Sequence, residues 1–216
     1  WYYQAEYYLD RGNDKEGSED DRWSGDLVAY QFNSATEQFV EQWRAADQLN
    51  AFVTNQADNW SRRKVFTTTN GNKPVELLWA NLGADPGGLQ QVLSSTAVDL
   101  DNPSDTTDGD MSAAESAQAL IAYLKGDQTH EGAGDFKLRT RSMFLGDIMH
   151  STPKLVLTDV ISGAGNVPIV YTGANDGMLH AFHGTTGKEL FSYIPRTVFP
   201  KLAAMSTNID YRHNYY

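Results

Sequence analysis

Residues 168–194 read Pro-Ile-Val-Tyr-Thr-Gly-Ala-Asn-Asp-Gly-Met-Leu-His-Ala-Phe-His-Gly-Thr-Thr-Gly-Lys-Glu-Leu-Phe-Ser-Tyr-Ile. Three short runs rich in β-branched and aromatic residues, 168–173, 178–183 and 189–194, are separated by turn-forming segments at 174–177 and 184–188. Asn175-Asp176-Gly177 suits a tight connection, because Asn or Asp followed by Gly accepts positive φ. The run 154–158 lies just upstream and joins through 159–167. Four short strands connected in order over about 40 residues match one blade of a β-propeller.

An internal repeat extends this reading towards the start of the chain. Ser24-Gly25-Asp26-Leu27-Val28-Ala29-Tyr30 resembles Asp176-Gly177-Met178-Leu179-His180-Ala181-Phe182, with Gly-x-Leu-x-Ala-aromatic in common. Strand alternation puts Leu and Ala of each copy on one face, a small residue beside a large one. Around the first copy, 26–33 and 38–43 read as strands with a hairpin loop at 33–37. The runs 65–69 and 75–79 read as a second pair around Asn70-Gly71. Residues 1–9, with Trp1, Tyr2, Tyr3, Tyr7 and Tyr8, suit a strand or a docking segment. Residues 10–22 carry six acidic and three basic side chains and read as a solvated loop.

The one helix expected with its own signals is 113–125. Ser112 and Glu115 form a capping box, Ala117, Leu120, Ile121 and Leu124 share a face, and Gly126 suits the C-terminal end. Residues 81–111 read as loop with one helical turn near 89–93. The expected fold is therefore mainly β, a partial β-propeller of meander blades with one inserted α-helix. A lead-in at 1–22 precedes the propeller part at 23–216, which holds a loop–helix insertion at about 81–135.

Composition narrows the function. The 216 residues carry 28 Asp plus Glu against 17 Lys plus Arg, a net charge of −11 that repels phosphate backbones and anionic lipid, so nucleic acid is not an expected partner. Cysteine is absent, which removes disulfides, thiol nucleophiles and thiolate metal sites. No apolar run reaches the length of a membrane-spanning helix. The chain opens on Trp1 and ends on Tyr215 and Tyr216, and is read as a fragment or processed product.

The region 136–216 resembles the C-terminal β-propeller region of the PilC/PilY type of type IV pilus tip-associated adhesin and biogenesis proteins. The resemblance rests on Arg139 and Arg141, then Leu145-Gly146-Asp147-Ile148-Met149-His150-Ser151-Thr152-Pro153, then 170–182, Thr186-Gly187-Lys188-Glu189-Leu190, Tyr193-Ile194-Pro195, Val198-Phe199-Pro200, and Tyr211-x-His213-x-Tyr215. Upstream, Trp23 to Tyr30 with Trp43-x-Ala45, and Arg63-Lys64-Val65-Phe66-Thr67, are similar to the start of that propeller and its next strand. The resemblance implies an exported, non-catalytic protein of the bacterial surface, outer membrane or pilus tip, acting in pilus biogenesis, adhesion and twitching motility. It implies pilins or minor pilins, surface receptors and the remainder of its own propeller as partners. It also implies calcium, held by an EF-hand-like loop that is not found in this segment.

The residues set further expectations. Asp99, Asp101, Asp105, Asp108 and Asp110 are the calcium candidates, although Asp99-x-Asp101-x-Pro103 lacks the third ligand and the glycine of an EF-hand loop. His180 and His183, three apart on a strand, face opposite ways and make a poor metal pair. Asp147, His150 and Ser151 are too close in sequence for a triad, and Asp147 and His150 are expected in turn and backbone hydrogen bonds at the entrance to a strand. Arg139 and Arg141 are expected to pair carboxylates. No catalytic residue and no quinone is expected, since nothing ties Trp23, Trp43, Trp60 or Trp79 to a cofactor. Two competing readings stand beside the pilus one: a quinoprotein-type dehydrogenase, and a periplasmic assembly-scaffold propeller.

Overall fold

The computed structural model describes residues 1–8, 24–56, 58–69, 71–82, 88–96, 111–132, 138–158 and 166–202. The described residues divide into two compact units. Of the described residues, the first takes in those within 1–56 and 142–192, and the second those within 57–141 and 193–202.

In the first unit, β1 (Tyr2–Tyr8), β2 (Ser24–Asn33) and β3 (Gln38–Arg44) form an antiparallel sheet in the order β1-β2-β3. From Ser24 to Ala29 every residue of β2 is buried, so this strand is covered on both faces. Helix α1 (Ala45–Thr54) leaves β3 directly and buries Ala45, Ala46, Leu49 and Val53. The same unit holds the meander: β6 (Lys154–Thr158), β7 (Val167–Gly173), β8 (Leu179–His183) and β9 (Glu189–Tyr193), each hydrogen-bonded to the next. Ile169, Val170, Ala181 and Phe182 are its fully buried centre. Trp43 Nε1 and the Tyr3 hydroxyl both donate to the Gly184 carbonyl at 3.1 Å, joining the two sheets through one turn.

The second unit holds the hairpin of β4 (Val65–Thr68) and β5 (Pro74–Glu76), and the helices α2 (Leu89–Thr96) and α3 (Ala113–Lys125). Helix α3 starts as expected. The Ser112 hydroxyl accepts the Glu115 N–H, the Glu115 carboxylate accepts the Ser112 N–H, and Gly126 ends the helix at φ 119°. Ala117, Leu120, Ile121 and Leu124 are all buried, and α3 packs against α2. Lys125 is buried too, donating to the Ser61 carbonyl at 2.9 Å, and burial holds its pKa below the usual lysine value.

Arg141 is fixed more firmly still. It meets the Glu131 carboxylate at 2.6 Å, donates to the Tyr123 carbonyl at 2.9 Å, and lies 3.4 Å over the Tyr123 ring. The expected pairing of Arg141 with a carboxylate is thus found, and the stacking suits a planar guanidinium. Breaking a buried pair strands the remaining charge. Arg141→Met is therefore expected to cost the second unit about 3 kcal/mol, measured by urea unfolding.

The mainly β class is found, and the four strands of the meander fall close to their expected limits. Three corrections follow. The described residues hold three α-helices where one was expected. The second strand of the 65–79 pair ends at Glu76, and Trp79–Asn81 is a 3-10 turn. Among the described residues of that hairpin the left-handed one is Asn72 (φ 55°), whose N–H donates to the Thr69 carbonyl, and not Gly71; Asn70 lies outside the described residues. No closed ring of blades forms among the described residues.

Candidate functional site

The two copies of the repeat meet one segment, Leu145-Gly146-Asp147. On one side Gly25 N–H donates to the Leu145 carbonyl at 3.2 Å, and Ser24 forms a bridge with Gly146. On the other, Gly146 N–H donates to Asp176 Oδ2 at 3.1 Å, Asn175 N–H to the Asp147 carbonyl at 3.0 Å, and Asn175 Nδ2 to Asp147 Oδ2 at 2.7 Å. The segment is a strap, hydrogen-bonded along both sides. Its approach is so close that a Cβ on Gly25 would overlap the Gly146 carbonyl oxygen, and one on Gly146 would stand 2.5 Å from Asp176 N. Glycine is required here for backbone contact.

Asn175-Asp176-Gly177 is the expected turn, with Gly177 at φ 84° and the Ala174 N–H donating to the Met178 carbonyl. Asp176 has a second role. Besides accepting from Gly146 and from Met178 N–H, its carboxylate lies 3.0 Å from His180 Nε2. His180 Nδ1 meets Glu189 Oε1 at 2.8 Å, and the ring stacks on Phe182. His180 is fully buried. Burial alone would push its pKa down, but Asp176 and Glu189 outweigh it and raise the value to about 9, so the imidazolium is the form held at neutral pH. An imidazolium donates from both nitrogens, which is what two flanking carboxylates need.

A second buried polar cluster lies at the base of the three-stranded sheet. Asp26 is fully buried, and its Oδ1 accepts the Ala46 N–H at 3.0 Å while Oδ2 meets Arg44 at 3.2 Å. Arg44 also pairs with Glu6 at 3.1 Å and Glu41 at 2.9 Å, and the Tyr8 hydroxyl donates to Glu6. Burial opposes the Arg44 charge, but the bonds to Glu41, Tyr8 and Glu6 prevail and raise its pKa. Asp26 thereby supplies the cap that α1 lacks locally, since Arg44 at its N-cap makes no side-chain capping bond.

Other candidates are placed as follows. Asp147 serves the turn after β7, as expected, and the Ser151 hydroxyl accepts the Gly173 N–H at 2.8 Å, a bond not foreseen. His180 is buried and His183 is half-buried, its Nδ1 accepting the Thr185 N–H. Trp43 is a core residue, and Trp23 lies outside the described residues. Asp99, Asp101, Asp105, Asp108 and Asp110 also lie outside them, as does the Tyr211-x-His213-x-Tyr215 motif. Among the described residues no group of three or more His, Asp or Glu could hold a metal ion.

The repeat differs between its copies in the burial of its leucine, among other positions. Leu27 is fully buried, whereas Leu179 is 39% exposed. The residues not foreseen were Glu6, Arg44 and Glu189, which reach their partners across strands. The far end of β2 and β3 is also exposed and aromatic: Phe32 and Phe39 meet edge-on at 5.4 Å, with Tyr2 beside Phe39 at 6.0 Å.

Chemically, the strap bonds to both repeat copies, and His180 bonds to Asp176 and Glu189 of the second copy's turn and the next strand. The arrangement fastens repeat copies 152 residues apart in the chain, Ser24 to Asp176; it is a clasp.

Comparison with known proteins agrees with the strap motif's resemblance. No family model matches the chain, and no solved structure matches it. A type IV pilus biogenesis factor PilY1 homolog of Xylella fastidiosa (strain Temecula1) is 34% identical over 213 residues, 90% of this chain and 14% of the relative. The type IV pilus biogenesis factor PilY1 of Pseudomonas aeruginosa strain PAK is 33% identical over 205 residues, 85% of this chain and 16% of the relative. That of strain UCBPP-PA14 is 30% identical over 223 residues, 91% and 17% respectively. The chain thus spans about one-sixth of the length of these curated relatives. Over that shared stretch, the chain belongs to the family of PilY1-type type IV pilus biogenesis factors.

Proposed function

We propose that this chain is a non-catalytic part of a surface-exposed type IV pilus protein, acting in pilus biogenesis, adhesion and twitching motility. The observation that carries the reading is the match to PilY1-type factors over 85–91% of the chain. The geometry supports it: the motif residues, Leu145-Gly146-Asp147 and Asn175-Asp176-Gly177, are spent on holding the repeats together, and their polar groups point inward. A rigid meander of this kind is a scaffold whose loops carry recognition. On this reading the sheets are portions of a β-propeller completed by further chain, and pilins or minor pilins and surface receptors are the partners.

The test is genetic. Cells lacking the gene should lose most surface pili and twitching, and the wild-type gene should restore both. Normal piliation in the deleted cells would overturn the reading.

A further inference from the structure

We propose that the outer edge of β6 is a docking site for a further β-strand from the same polypeptide. This rests on the chain being one part of a longer PilY1-type protein, and not on the pilus role.

β6 ends its sheet, with β7 on one side and no strand beyond it among the described residues. The five residue pairs between β6 and β7 run without a register shift. Ile169 and Val170 of β7 are 1% and 0% exposed, yet their partners Val156 and Leu155 are 41% and 43% exposed, and Leu157 is 64% exposed. Alternation puts Leu155 and Leu157 on one face and Val156 on the other, so β6 is apolar on both. Such a pattern belongs to a strand covered on both sides. The cover over β7 and β8 stops one strand short.

The edge carries little of the usual protection, with Pro153 and Lys154 at its start only. Natural edge strands carry inward charges, prolines or bulges that prevent pairing. β6 has Lys154 at its start and then three apolar residues. Its occupant is therefore an extended segment that pairs with the backbone and brings apolar side chains to both faces. A polar glycan or a small ion offers neither.

Two observations favour further chain over a second copy. The relatives are several times longer than this chain, which spans 14–17% of them, so covering segments are at hand. Two copies at net charge −11 repel each other, whereas a tethered segment needs no encounter.

Hydrogen exchange read by mass spectrometry tests this on the 216-residue chain and on the full polypeptide its gene encodes. In the longer protein, peptides over Lys154–Thr158 should exchange at least about tenfold more slowly, while those over Leu179–His183 stay the same. Equal exchange at β6 in both would overturn the proposal. So would protection in the short chain that grows with concentration alongside a dimer mass, which would name a second copy as occupant. The double variant Val156→Lys, Leu157→Lys should lose β6 protection and melt lower only in the longer protein. Wild-type melting of that variant would also overturn the proposal. Either result leaves the piliation test untouched, so the two readings fail separately.

Discussion

Gly146→Ala is expected to lower the melting temperature of this chain by roughly 10 °C, a loss of about 4 kcal/mol for a domain of this size. The added methyl would stand 2.5 Å from Asp176 N and 2.9 Å from Asp176 Cβ. The first of these is backbone, so no rotamer change relieves the overlap. The turn 175–177 must move away, and with it go the bonds from Gly146 N–H to Asp176 and from Asn175 to the carbonyl and to Oδ2 of Asp147. Overpacking of this kind costs about 1–3 kcal/mol alone, and the lost hydrogen bonds to charged or buried groups add to it. Gly71→Ala is the control. A Cβ there meets nothing within 4 Å, so its change should stay within about 0.5 kcal/mol. Thermal unfolding followed by circular dichroism checks both. A Gly146→Ala melt within about 2 °C of wild type would show that the strap is not packed between the two repeats as described.

The second large effect is a dependence on pH. The folded-state pKa of His180 is raised from 6.5 to about 9. A raised pKa means that the folded state holds the proton more tightly than the unfolded one. The stabilisation is therefore complete below pH 6.5 and is lost as pH rises towards and through 9. The loss across that window is about 3 kcal/mol. Above it a neutral imidazole can donate from one nitrogen only, and either Asp176 or Glu189 loses its partner. His180→Leu should flatten the dependence between pH 6.5 and 9 and lower stability below it, because two carboxylates then face each other without a cation. Urea unfolding across this range is the measurement. Equal slopes for wild type and His180→Leu would contradict the role of His180 as the clasp's cation.

What was legible in the chain follows from how local its signals are. β6 to β9 were read almost to the residue, because their alternation and turn residues lie within the strands and loops themselves. α3 was read from a capping box contained in four residues. α1 was missed although Ala45, Ala46, Leu49 and Val53 have helical spacing. It begins straight from a strand, and its cap comes from Asp26, 20 residues earlier. The sequence draws β5 too long because Leu77, Leu78 and Trp79 extend the apolar run of Val75, whereas the chain bends at Leu77.

The site divides in the same way. Leu145-Gly146-Asp147 and Asn175-Asp176-Gly177 stand out as motifs in the sequence, the second as a turn and the first only through Asp147 at the entrance to a strand. That Gly146 lies between Gly25 and Asp176 is a tertiary fact, with one partner about 120 residues away in the chain, and no local pattern carries it. The spacing of His180 and His183 argues against a metal pair, but it does not show that the partners of His180 are Asp176 on its own turn and Glu189 on the next strand. Arg44 was not singled out at all, because Glu6 and Asp26 reach it across strand pairs that one sequence does not align.

Immunogold labelling of the encoding bacterium, with antibody raised against this chain, tests the central claim most directly. The account predicts label on pili or at their tips. Label confined to the periplasm, with bare pili, would contradict it and bring the periplasmic scaffold and dehydrogenase readings forward.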